Sequence, residues 1–134
     1  MCKSGFLQKQ AAALREKVEA EKVDIYVTKP AEMFRIYQLK PGSDYHGIRY
    51  EPYAENKDKG LNIVDYDLVY EGDWNTVPGD SVQAKLERIY FDLNGGLKPY
   101  GFDGRSVSVS DVITVPDGDA YYVNRSGFAE MPEF

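Results

Sequence analysis

The chain has 134 residues, with 22 Asp and Glu against 16 Lys and Arg and a net charge of −6. That length suits one domain with a sizeable core, and so acidic a balance argues against direct nucleic-acid binding, which needs a basic face. No apolar run reaches the length of a membrane span, no N-terminal h-region is visible and the single cysteine, Cys2, excludes an internal disulfide, so the expectation is a cytoplasmic protein with neither signal peptide nor membrane segment.

The charge divides unevenly. Residues 1–30 carry six Lys/Arg and four Asp/Glu, whereas residues 31–134 carry ten and eighteen. Residues 1–30 read as an extension to a domain spanning 31–134. Within the extension, Leu7, Ala11, Leu14 and Val18 recur at helical spacing, which predicts a helix over Ser4–Glu21 with a narrow apolar stripe. That helix could pack on the body, which is the first expectation, mediate a weak homodimer or fray in solution, so the chain is expected to be a monomer or a weak dimer. Val23–Val27 alternates apolar and polar residues before Lys29-Pro30, the pattern of a short strand.

Met33–Leu39 carries apolar residues on both alternating faces, which predicts a central strand ended by Lys40-Pro41-Gly42. Ser43–Gly60 reads as irregular with short helical pieces, one capped by Ser43 or Asp44 and another opened by Pro52. Tyr66–Tyr70 alternates as a strand before Gly72-Asp73. Ser81 opens the main helix, about 81–93, with Val82, Leu86, Ile89 and Leu93 turned inward and Asn94-Gly95-Gly96 as the stop. The β-branched run Val112–Val115 and the run Ala120–Val123 flank Pro116-Asp117-Gly118-Asp119, which predicts a hairpin. The expected fold is therefore α+β: a mostly antiparallel sheet of about five strands, one main helix, smaller helical pieces and an N-terminal helix.

The chemistry-bearing residues are sparse. His46 is the only histidine, and it falls in a loop, so imidazole chemistry has a single place to run and reads as a surface turn. One histidine and one remote cysteine do not make a zinc site, and neither Asp117/Asp119 nor Asp65/Asp67 has the spacing of a calcium loop. No catalytic residue, metal or cofactor is expected. The tyrosines stand out: Tyr45, Tyr50 and Tyr53 cluster in the irregular segment, and Trp74 lies in a separate loop. Such side chains anchor protein interfaces or roof small cores.

Four stretches carry a family resemblance: Ile36–Lys40, Arg49–Tyr53, Tyr66–Tyr70 and Gly104–Val112, joined by Tyr121-Tyr122-Val123, Gly127-Phe128 and Pro132-Glu133-Phe134. In their order and spacing they resemble the YodL-like domain, a small bacterial module found on mobile elements. The resemblance runs from about Phe34 to Phe134, with a departure at Phe91–Lys98. It implies no catalytic residues. What it implies is the company of mobile elements, whose accessory proteins often blunt host defence. The expected function is thus a non-enzymatic, acidic module that inhibits a host defence system by binding a protein with a basic surface. A CRISPR-associated nuclease is the leading expectation, with Asp65, Asp67, Glu71 and Asp73 supplying charge and Tyr45, Tyr50, Tyr53 and Trp74 the anchors on one acidic, tyrosine-rich face. The resemblance also extends to a Bacillus protein linked to actin-like filaments, which implies modulation of that cytoskeleton as an alternative. A small enzyme acting on a nucleotide or sugar is a third reading, and it would require carboxylates converging in a cavity.

Overall fold

A computed structural model describes residues 32–95 and 98–134; the expected helix over Ser4–Glu21 and strand over Val23–Val27 lie outside the described residues. Strands β1 (Met33–Leu39), β2 (Tyr66–Asp73), β3 (Val112–Thr114), β4 (Ala120–Val123) and β5 (Phe128–Glu130) form one sheet in the order β2-β1-β3-β4-β5. Every neighbouring pair is antiparallel. β1 is central, as its two apolar faces require: Phe34, Ile36 and Gln38 are buried on one side and Leu39 on the other. The sheet and α2 (Val82–Leu93), the single long helix among the described residues, are consistent with the α+β class.

The fifth strand differs from expectation. β5 has only three residues, too short to show alternation, and the Asn124–Gly127 turn before it reads in sequence as a stop. Backbone pairing supplies what the pattern lacks: Asn124 N–H donates to the Gly127 carbonyl at 3.0 Å and Met131 N–H to Ala120 at 2.9 Å. The hairpin between β3 and β4 forms as predicted. Gly118 takes φ 99°, and the Asp117 carboxylate accepts from the Asp119 N–H at 3.1 Å, so that acidic pair serves the turn.

Each face of the sheet has its own cover. On one, Leu86, Ile89 and Leu93 of α2 join Phe34, Ile36, Val69, Val107 and Ile113 in a buried cluster. Ser81 caps the helix by accepting from Ala84 N–H at 3.1 Å. Val82 departs from expectation: it stands in the first turn of the helix and is 40% exposed. On the other face, the segment from Ser43 to Asp65 lays Tyr45, Ile48, Tyr53 and Leu61 over Leu39, Tyr66, Val112 and Tyr122. Its regular parts are α1 (Tyr53–Asn56) and two single 3-10 turns, Ser43–Tyr45 and Ile63–Asp65. Phe134 completes this cover, packing edge-on against Tyr37 and Tyr66 with ring centroids 4.9 and 5.3 Å apart.

Ser110, just before β3, is fully buried at φ 86°, and its hydroxyl finds no partner among the described residues. A side chain in this left-handed region costs about 1–2 kcal/mol, and a buried unpaired hydroxyl a further ~1–3 kcal/mol. Ser110→Gly removes both at an entropic cost of about 0.5–1 kcal/mol. The expected result is a gain of about 1 kcal/mol or more in urea unfolding, while Ser110→Ala, which keeps the strained φ, gains less.

Candidate functional site

The site begins with a polar residue in an apolar strand. Gln38 alternates in phase with Phe34 and Ile36, so β1 carries its amide into the interior, where it is 2% exposed. A buried amide must be paired on both sides. Its Nε2 donates to the Arg105 carbonyl at 2.8 Å and to the Asp111 carboxylate at 3.0 Å, and its Oε1 accepts from Arg105 N–H at 3.1 Å and Nη1 at 3.2 Å. Gln38 thereby imitates a strand partner for the chain at Arg105. Asp111, wholly buried, also accepts from Ser108 N–H at 2.9 Å and from Arg105 Nη2 at 3.3 Å. Burial pushes its carboxyl up to about 7, against the opposing pull of the Ser108 N–H, the Arg105 charge and Gln38. Gly104 is required beside this network, since a Cβ there would collide with the Gln38 amide and sit 3.0 Å from Val69 Cγ1.

This network braces one wall of a cleft of about 430 Å³, lined by Leu39, Val69, Arg49, Tyr50, Asp67, Asp103 and Arg105 among others. Arg49 is held by donating Nη2 to the Lys40 carbonyl at 2.7 Å. The Nε of both Arg49 and Arg105 is buried without a hydrogen-bond partner among the described residues. Tyr50 stands at the rim, 49% exposed and at φ 71°, with the Arg105 guanidinium 5.7 Å from its ring centroid. A bulky residue kept in this region is backbone strain, a feature that clusters where ligands are held. Two carboxylates, Asp67 and Asp103, share the cleft, as an enzymatic reading would want. Both are exposed, whereas a general acid working near neutral pH needs a desolvated carboxyl, and the buried Asp111 is closed in by its own donors. His46 is exposed after the Ser43–Tyr45 turn, and among the described residues no three His, Cys, Asp or Glu side chains gather as a metal site.

The eight residues expected to form one face only partly gather: Tyr45 bonds Asp65, and Tyr50 shares the cleft with Asp67, but the β2 carboxylates divide between two faces. A bulge in β2 opposite Ile36/Tyr37 changes the alternation: Asp67 pairs with Gln38 while Glu71 pairs with Arg35, and these partners lie on opposite faces of β1. The single acidic face is thus split by one extra residue, Val69, which short-range alternation does not reveal. Glu71 is engaged by Arg35 Nε at 2.5 Å. Asp73 accepts from Asn75 N–H at 2.9 Å, capping the 3-10 turn Trp74–Thr76. Asp65 closes a capping box with Asn62 and accepts from the Tyr45 hydroxyl at 3.0 Å, a bond that, ahead of burial, raises the Tyr45 phenol.

Tyr53 is half-buried, 5.2 Å centroid to centroid from Tyr122, and donates to Glu133 at 2.8 Å; burial and that bond push its phenol up to about 12. Trp74 packs on the α2 cluster with Lys85 Nζ 4.8 Å from its ring centroid. Tyr50 and Asp67 are left, and both open into the cleft. Gln38, Arg49, Arg105 and Asp111 lie within the stretches that carry the family resemblance, but none of them is among the expected contact residues. The usable signal was Gln38 itself, a polar residue at a core position of the strand.

A model of the YodL-like domain matches residues 33–134. No curated protein and no solved structure matches the chain. The four stretches that carry the family likeness in sequence meet at this cleft, contributing Gln38 and Leu39, Arg49 and Tyr50, Asp67 and Val69, and Gly104 and Arg105.

Proposed function

Since the chain belongs to the YodL-like domain family over residues 33–134, and since Tyr50 and Asp67 alone among the expected contact residues have neither a side-chain hydrogen bond nor an ion pair nor core packing among the described residues, we propose that it is a non-enzymatic protein-binding module that docks through their cleft. One observation carries this reading: a strained, half-exposed tyrosine beside a carboxylate that forms no ion pair among the described residues, both on the rim of a braced cavity. Interfaces draw most of their affinity from a few such aromatic and charged groups around a desolvated centre.

The partner is a protein with a basic, nucleic-acid-handling surface, and a CRISPR-associated nuclease of a defence system is the first to test. The support is electrostatic: the excess of acidic residues beyond residue 30 favours encounter with a basic surface over long range. Exposed charges are screened over about 8 Å at physiological salt, so such binding weakens as salt rises. Immobilised chain should retain the nuclease at low ionic strength and release it as salt is added. Tyr50→Ala should weaken capture by roughly tenfold or more, the scale of an interfacial anchor. Failure to retain the nuclease at low salt removes this partner.

A further inference from the structure

The charges of the cleft specify more than a basic partner. Arg49 and Arg105 line it together with Asp67 and Asp103, so it presents two cations and two anions to whatever enters. Their states differ. Arg105 is already engaged from behind by Asp111, whereas Arg49, Asp67 and Asp103 form no ion pair among the described residues. A purely basic side chain entering the cleft would meet Asp67 and Asp103 favourably but would leave the Arg49 guanidinium desolvated against like charge. A purely acidic one would have the converse fault. Desolvated charges without partners cost several kcal/mol each, so the best complement carries both signs close together.

Resting on the protein-binding reading above, we infer that the cleft receives a mixed-charge pair of side chains from a protein partner. A carboxylate lies against Arg49 and the accessible edge of Arg105, and an ammonium or guanidinium lies against Asp67 and Asp103. Tyr50, fixed at its strained φ beside Arg105, walls the pair and shields it from water. The apolar surfaces of Leu39 and Val69 take the aliphatic stems of both side chains. This arrangement gives an acidic protein a means of choosing among basic surfaces: it prefers one with an acidic residue set into it.

The test is a nitrogen-15 NMR titration of the full chain with capped peptides. Each carries one Glu and one Lys separated by zero, one or two glycines, and controls carry Gln in place of either charge. At least one spacing should bind about tenfold tighter than both of its controls, with shifts centred on the amides of Arg49, Tyr50, Asp67 and Arg105. Arg49→Gln should reduce that peptide to the affinity of its Gln-for-Glu control. Because Arg49 also holds the Lys40 carbonyl, Asp67→Asn serves as the second variant: its side chain bonds nothing among the described residues, and it should abolish the preference for Lys over Gln. The inference is overturned if no spacing exceeds both controls, or if the Lys preference survives Asp67→Asn. Peptide discrimination without nuclease capture would leave the cleft's occupant standing and overturn only the partner class, whereas capture without discrimination would overturn the occupant alone.

Discussion

Asp111→Ala should destabilise the domain by on the order of 3–5 kcal/mol at pH 5, below the value to which burial raises its carboxyl, the cost of leaving three donors without their acceptor at about 1–3 kcal/mol each. The loss is large because three donors lose their acceptor together: Ser108 N–H, Gln38 Nε2 and Arg105 Nη2. The Ser108 and Gln38 donors reach the same carboxylate oxygen, so Asp111→Asn cannot satisfy every donor with its single carbonyl. Residues 105–111 would detach from β1, and the wall of the cleft would loosen with them. In thermal unfolding a loss of that size lowers Tm by well over 10 °C, roughly 4–8 °C for each kcal/mol in a domain of this length. A shift of only a few degrees would mean that the network is dispensable.

The second large effect is on the pH dependence of stability, and its sign is unusual for an aspartate. Burial raises the Asp111 carboxyl from its ordinary 3.8 to about 7, so the folded chain holds this proton more tightly than the unfolded chain. The contribution of this residue to stability is therefore complete below about pH 4 and is lost as the pH rises through about 7. The slope reaches at most about 1.4 kcal/mol per pH unit, for one proton. The difference in unfolding free energy between the unaltered chain and Asp111→Asn isolates the group, since other titrations cancel. That difference should fall by a few kcal/mol between pH 4 and 7 and then level off. A difference that rises over the same window would show the three donors holding the carboxylate below its ordinary range, and would overturn the expectation.

These two results bear on binding as well as stability. Arg105 is at once a partner of Asp111, a backbone partner of Gln38 and a cleft residue against Tyr50. A change at Asp111 therefore reaches the cleft through one side chain. Tyr50, half-exposed and a member of neither core cluster, can be altered with little effect on the fold, so the capture and unfolding measurements separate docking from stability.

Local pattern was enough for the elements whose signals are local. The alternation of Met33–Leu39 placed a central strand, Ser81 with Leu86, Ile89 and Leu93 placed the main helix, and the turn chemistry of Pro116–Asp119 placed the hairpin. The order and spacing of four short stretches was also enough for the family. Tertiary structure alone decided the rest, because it depends on contacts between residues far apart in the chain. The three-residue β5 exists by pairing with β4, the bulge at Val69 is defined only against β1, and the amide of Gln38 is satisfied 67 and 73 residues away. The candidate site inherits that dependence. Single-sequence chemistry ranked Tyr45, Tyr53, Trp74 and the β2 carboxylates alike, and only the fold assigned most of them to caps, ion pairs and core packing and left Tyr50 and Asp67 lining an open cleft.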